Sequence, residues 1–595
     1  MKPGRDHLPA GPEEVRARGW RDVDVVLVSG DAFVDHPSFG AAAVARALES
    51  EGFRVAVLPR PDWRDPEAFR RFGRPRLFFG VTGGNLDSLV ANRNAWKARR
   101  PRDAYAPGGK PGGRPDRACL VYAQACRAAW PGVPVVLGGI EASLRRLAHY
   151  DWWSGKVRRS LLLDARADLL VYGMGEAAIL EAARRLAGGG DLGGIPGTAR
   201  SVALDEIPRG EGVRELPSFE DVRDDDDAFL EAQAVFEKEL RAGGARLVQR
   251  GGAPGRAVLV EPPAPPETPE ELDRWFDLPF TREVHPVHRD EGHVPALDVV
   301  KDSVTAHRGC AGDCSFCALT LHQGRWIVSR TAESIEREIL RIVNTPSSKG
   351  RVSDIGGPSA NMYGLSCPNL EKGDPCRDKA CLGETPCPAL RPRGSRAWVE
   401  LLERLSRLQG VVSIGVGSGP RFDLLDGKSL ERICARFVKG QLKVAPEHCG
   451  PKTLTAMNKP SWRRYEEFEK RFRAVVRSMG LDVHLSNYFL VAHPGTDLVE
   501  AVELFDELSR RNYSPEQVQV FLPLPMTRSA AMYWTGRDPR DGRPLYVARG
   551  DHERRLHLAL AQWRVPRNRK YVLEALEKTG RKDLASRLRR KPFSL

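Results

Sequence analysis

Three cysteines, Cys310, Cys314 and Cys317, stand with three and then two residues between them in the run Gly309-Cys-Ala-Gly-Asp-Cys-Ser-Phe-Cys317. Thiolates this close on one Gly-containing loop can reach three irons of a single cubane iron–sulfur cluster, because each intervening peptide spans neighbouring irons. A cubane takes four ligands, so such a loop leaves one iron open to a group that the protein does not supply. Zinc is the competing reading. It favours a closed set of four nitrogen or sulfur ligands, and His307 or His322 would have to complete it. Phe316 before the last cysteine, and the apolar run from Val299-Val300 to Val304-Thr305, read as a strand entering the loop, favour the cluster.

A second set, Cys367, Cys376, Cys381 and Cys387, lies in an insertion at residues 367–387, rich in Gly and Pro and with almost nothing apolar to bury. Something other than a core must order it, and the expected agent is a second metal site, either zinc or an auxiliary iron–sulfur cluster. The start of the chain leads into no apolar leader and no run approaches the length of a membrane span, so a cytoplasmic protein with no membrane partner is expected. In that reducing compartment eleven cysteines suit metal or catalysis better than disulfides.

The elements that must position these residues read as alternating strands and helices. Strands are expected at Val23–Val28, Val55–Leu58, Leu77–Val81, Val133–Leu137 and Leu169–Tyr172, with helices at Phe39–Glu51, Pro115–Trp130 and Glu176–Leu186. Apolar strands separated by helices of this length imply a doubly wound parallel sheet, with ligands bound at the strands' carboxyl ends. Glu141–Arg146 and His149–Trp153, polar and aromatic after a strand, read as a binding lip. Residues 241–295, with Gly251-Gly252 and Pro262-Pro-Ala-Pro-Pro266, read as a linker or strap. Beyond the cysteine loop, a helix at Ser334–Val343 and strand-and-turn units near Val352, Val411, Gln441, His484 and Gln517 fit a partial (β/α)6 barrel with its site at the strand ends. The division is therefore 1–240, 241–295, 296–540 with the insertion 367–387, and a small basic helical region at 541–595.

At 595 residues the chain exceeds a single core, and 41% hydrophobic with 29% charged residues is ordinary for a soluble globular protein. Lys and Arg outnumber Asp and Glu by 92 to 78, and much of the excess lies in the last fifty or so residues, where it could attract nucleic acid or solvate a helical face.

Cys-x-x-x-Cys-x-x-Cys with an aromatic before the last Cys resembles the signature of radical S-adenosylmethionine (SAM) enzymes. Gly30–Gly40, Gly138–Arg146, Ser303–Cys310, Gly356–Tyr363, Ala445–His448, Ala492–Thr496 and Met532–Gly536 together resemble the YgiQ-type radical SAM proteins, from about Asp22 to about Leu588. The resemblance implies a 4Fe-4S cluster on Cys310, Cys314 and Cys317, with SAM on its open iron and cleaved to methionine and a 5′-deoxyadenosyl radical. It implies a low-potential electron donor such as flavodoxin or ferredoxin. It places the SAM amino group against Gly356-Gly357. Arg421 and Asp423 have the chemistry to hold its carboxylate and hydroxyls, with Lys443 and Glu447 as further contacts. It also implies a cobalamin-binding-like fold for the N-terminal domain. The ligating pattern there is Asp-x-His-x-x-Gly, whereas Asp35-His36-Pro-Ser-Phe-Gly40 has those residue types at other offsets, so the fold is expected without the cofactor. A radical enzyme of unnamed substrate is the first reading. The alternatives are an RNA-modifying radical enzyme, or an iron–sulfur or zinc protein that binds nucleic acid without radical chemistry.

Overall fold

The computed structural model describes residues 7–345, 348–372, 376, 380–392 and 395–590. The chain divides into two compact units, one of residues 1–305, 321–324 and 330–341, the other of 306–320, 325–329 and 342–595.

In the first unit, β1 (Val25–Ser29) is buried along its whole length, and such a strand needs cover on both faces. It receives it through βα steps: α1 (Gly40–Ser50), β2 (Val55–Pro59), β3 (Phe78–Thr82), α2 (Ala118–Ala129), β4 (Val135–Gly138), β5 (Leu169–Val171) and α3 (Glu176–Ala187). β6 (Thr198–Ala203), β7 (Val213–Leu216), β8 (Arg246–Arg250) and β9 (Arg256–Val260) extend the sheet to nine strands in the order β2-β1-β3-β4-β5-β6-β9-β8-β7. β1 to β5 pair in parallel; β6 and β9 enter antiparallel.

The expected strap at 241–295 is corrected by this extension. Leu247 pairs with Val260 and Arg250 with Ala257, so Gly251-Gly252, both at positive φ, form a hairpin turn. The apolar runs on either side of that turn bury Val248, Ala257 and Leu259. Thr268 then caps a helix, Pro269–Phe276, with Glu271 returning the bond to Thr268. The first unit therefore runs to residue 305 instead of ending near 240. A second correction concerns Val299-Val300, which end the helix Pro295–Val300; only Ser303–Thr305 is strand.

In the second unit β10 (His307–Arg308) pairs antiparallel with β11 (Val328–Ser329) and frames the cysteine loop. Parallel βα steps follow. β12 (Arg351–Val352) and β13 (Asp354–Gly356) lead to α4 (Arg396–Leu405), β14 (Ser413–Ile414) and α5 (Gly427–Arg436). β15 (Gly440–Glu447), α6 (Pro451–Met457), α7 (Trp462–Ser478), β16 (Val483–Val491), α8 (Leu498–Arg510), β17 (Val518–Val520) and α9 (Arg528–Thr535) complete them. β12 pairs with β14 in parallel, and β15, β16 and β17 form a second parallel ribbon. These are the strands of the expected partial barrel.

The basic end forms α10 (Asp551–Ala561), α11 (Arg569–Lys578) and α12 (Lys582–Arg590), whose Leu556, Leu560, Val572 and Leu576 share a core with Leu504 and Phe505 of α8. Several of its cations are committed to that packing. Arg554 is buried and donates to the Phe521 carbonyl at 2.8 Å, and Lys578 pairs with Glu574. Among the described residues no helix is long and apolar enough to cross a membrane.

Candidate functional site

The loop carrying Cys310, Cys314 and Cys317 is held by helix ends. Glu500, buried on α8, accepts from the amides of Lys452 and Thr453 at 2.9 and 3.0 Å, satisfying orphan donors at the start of α6. At the far end of α6, Asn458 stops the helix in a left-handed conformation and donates its Nδ2 to the Asp313 carbonyl at 2.8 Å. The Ser315 amide donates to Met457 O, and the Ser529 amide donates to Ser315 O at 2.9 Å. Phe316 packs edge-on to His493 and joins the apolar cluster of Met457, Leu490 and Phe521, which anchors the loop beside its last cysteine. Gly309 lies at φ 82°, where a Cβ would collide with the Trp326 carbonyl, so only glycine lets the loop leave β10.

The three thiols are near neighbours. A Cβ placed on Gly312 would sit 3.3 Å from Cys310 Sγ, 3.7 Å from Cys314 Sγ and 3.1 Å from Arg421 Nη1. Burial pushes the Cys310 thiol up to about 11, with Cys314 adding to the shift, and burial raises Cys317 further. Neither proposed fourth zinc ligand joins the thiols. His322 Nδ1 bonds Ser143 Oγ at 3.0 Å in the first unit, and the His307 ring lies against Gly357.

Arg421 and Asp423 face this loop. Arg421 donates through Nε and Nη2 to the Asp423 carboxylate at 2.9 and 2.7 Å, while Nη1 lies 3.9 Å from Cys314 Sγ. Burial alone would raise the Asp423 pKa; the Arg421 guanidinium outweighs it and holds the carboxyl below its usual range. Glu447, at φ 69° after a bulge in β15, is pushed upward by burial and opposed by Lys459, whose Nζ is 3.9 Å from its carboxylate. Lys443 is half-buried on β15, with its carbonyl facing Gly419.

Gly356 and Gly357 end β13 with no room for a side chain, against Ser418 Oγ and the His307 ring respectively. Asp354 ties this turn to the next strand end by accepting from the Gly417 and Ser418 amides at 2.9 and 3.0 Å. Both ring nitrogens of buried His307 lack a partner, and burial lowers its pKa to about 4. A bare backbone turn, an orphaned imidazole, a guanidinium and three thiols fit a cluster with a polar ligand such as SAM.

Sequence reasoning offered His307 only as a zinc ligand and missed Asp354, Asn361, Ser418 and Lys459 in this region. Asn361 clamps Arg421 in place, accepting from its amide at 2.8 Å and donating to its carbonyl at 2.9 Å. Only the run Gly356–Tyr363, already conspicuous for its two glycines, carried a signal for it.

The second cysteine set is assembled around Arg325. Its Nη2 donates to Cys381 Sγ at 3.2 Å and its Nη1 to the Cys376 carbonyl at 3.3 Å. Cys367, Cys381 and Cys387 pack with Cys310 against one small apolar cluster that includes Met362, Leu365, Leu382 and Leu390.

In the first unit, the expected lip is buried structure. Arg145 pairs with Asp87, and Arg146 stacks 4.4 Å from the Tyr172 ring. The carboxyl ends of β1, β3 and β4 are closed by the chain's own charges. Arg114 bridges Asp31 at 2.8 Å and Asp103 at 3.1 Å, and Glu141 accepts from the Ser88 and Cys119 amides at 3.0 Å each. Gly83 and Gly84 press directly on Glu141 and Asp31. Asp35 is consumed by a buried ion pair with Arg46, and His36 is buried with its Nδ1 accepting from the Ser38 amide. These residues do not fit cobalamin.

Comparison with known proteins agrees with this layout. The family described as Radical SAM N-terminal matches residues 7–303, and a domain of unknown function, DUF3362, matches residues 516–590. A UPF0313 protein of Methanosarcina mazei is 44% identical over 96% of this chain and 97% of its own length. Its counterpart in Geobacter sulfurreducens is 46% identical over 98% and 96%. Among solved structures, OxsB, a cobalamin-dependent SAM radical enzyme with aqua-cobalamin bound, aligns with a TM-score of 0.50 at 11% identity, over 96% of this chain and 72% of that one. That likeness is one of fold.

Proposed function

The chain belongs to the UPF0313 family, the YgiQ-type radical SAM proteins, and from that premise we propose that it reductively cleaves SAM to initiate radical chemistry on a substrate. When bound, a 4Fe-4S cluster carrying SAM supplies the electron that gives methionine and a 5′-deoxyadenosyl radical. The chain's own residues do the rest. Cys310, Cys314 and Cys317 would hold the cluster, and Arg421 lays positive charge beside the Cys314 sulfur. Asp423 holds that guanidinium and Asn361 holds the Arg421 backbone, so the charge need not reorganise. The Gly356-Gly357 turn offers bare backbone to the SAM amino group, and Glu447, Lys459 and Lys443 line the neighbouring strand end.

The observation that carries this reading is the Cys310 and Cys314 thiols gathered beside a buried Arg421–Asp423 pair, with Cys317 in electrostatic reach of both. A low-potential flavodoxin or ferredoxin serves as electron donor. Cobalamin takes no part, because the N-terminal strand ends are closed by Asp31, Arg114 and Glu141. Anaerobic reconstitution with iron and sulfide should give an EPR signal that changes on adding SAM, and 5′-deoxyadenosine should form with dithionite. Cys314→Ala should abolish both. If the reconstituted wild type made no 5′-deoxyadenosine, or Cys314→Ala made as much, the proposal would fail.

A further inference from the structure

We propose that Cys367, Cys376, Cys381 and Cys387 hold a second 4Fe-4S cluster, ligated entirely by protein and therefore closed to SAM. The backbone brings these cysteines together. The Cys387 amide donates to the Cys381 carbonyl at 2.8 Å, closing residues 381–387 into one turn. Arg325, only 7% exposed, reaches across from the cysteine loop of the first cluster to both Cys376 and Cys381. Two of the four sulfurs accept N–H donors directly, Cys381 from Arg325 and Cys376 from Asn369 Nδ2 at 3.3 Å. Hydrogen bonds to sulfur of this kind stabilise the anionic thiolates of iron–sulfur centres and tune their potential.

The insertion has little else to order it. Leu382 and Leu390 are its buried apolar anchors, and Cys367, Cys381 and Cys387 face the same small cluster that they occupy. That arrangement gives these three thiols an apolar floor. Four cysteines match the four corners of a cubane, so no iron remains open. Zinc would draw the sulfurs to about 3.8 Å of one another. Zinc is thus the competing occupant of four cysteines, and the metal content measured below separates the two.

This inference stands apart from the reading of the first cluster, and a single experiment separates them. The full-length chain is reconstituted anaerobically as wild type, as a Cys310/Cys314/Cys317→Ala variant and as a Cys376/Cys381→Ala variant, and iron, sulfide and zinc are measured per chain. Wild type should bind about eight irons and each variant about four. The dithionite-reduced EPR signal of the Cys310/Cys314/Cys317→Ala variant should be indifferent to SAM, while that of the Cys376/Cys381→Ala variant should still respond. Should the latter fail to fold, the former alone decides by its retained iron. A Cys310/Cys314/Cys317→Ala chain with no iron, or with stoichiometric zinc that iron does not displace, overturns the second cluster. A second cluster that is retained while no sample responds to SAM leaves this proposal standing and refutes the radical reading instead.

Discussion

Replacing Asp423 by Asn keeps the shape of the site and removes one charge of a pair whose side chains are only 8% and 2% exposed. The Arg421 guanidinium then stays charged, because its pKa lies far above neutrality, and it loses the partner of its two bonds at 2.9 and 2.7 Å. Leaving one member of a buried pair uncompensated costs about 3–5 kcal/mol. In the apo chain that full range applies. With a cluster bound, thiolate charge beside Arg421 stands in for part of the carboxylate and brings the loss to the lower end, about 3 kcal/mol, or roughly a hundredfold in the local opening constant. Because a chain of two units need not unfold in one step, the assay is local: hydrogen exchange of residues 417–426, apo and reconstituted, in wild type, Asp423→Asn and Arg421→Gln/Asp423→Asn. The double variant, with no charge left to bury, should be more protected than the single one, while both lose SAM cleavage. Equal protection in single and double variants, or a loss below about 1 kcal/mol in the apo single variant, would refute the claim that this pair is held by mutual neutralisation.

Gly309→Ala should bind little or no iron at Cys310, Cys314 and Cys317, because the methyl group would collide with the Trp326 carbonyl and displace the loop; normal iron content in the variant would show that the loop tolerates another exit from β10. Acid should destabilise the second unit steeply. Burial lowers His448 and His493 to about 3 and His557 to about 4, so their contribution is intact above about pH 6.5 and is lost as pH falls toward those values. A single histidine shifted from 6.5 to 4 accounts for about 3 kcal/mol, and denaturation midpoints measured between pH 7 and 4.5 should fall accordingly. A flat profile would mean that these imidazoles find proton acceptors on unfolding no better than in the fold.

What could be read from the sequence was what local chemistry determines. The strands β1 to β5 and their helices were legible within a few residues because uninterrupted apolar runs between Gly turns leave a buried parallel strand as the only economical placement. The hairpin of β8 and β9 was not, since Gly251-Gly252 beside a proline-rich stretch has the composition of a linker; only pairing with β6, far away in sequence, gives Arg256–Val260 a partner. The cysteine loops were legible by spacing alone. Their supports were not, because Glu500, Asn458 and Asn361 act through backbone groups that carry no sequence mark.

The same limit explains the N-terminal sheet. Its Gly turns announce a ligand crevice, yet a glycine records only that something approaches closely. Here what approaches Gly83 and Gly84 is Glu141 and Asp31, neutralised and hydrogen-bonded by Arg114, Ser88 and Cys119. A crevice filled in this way is already satisfied electrostatically, and a corrin would have to displace buried ion pairs. The strand ends of this sheet are thus occupied by the chain's own charges, and all seven cysteines proposed as metal ligands lie in the second unit.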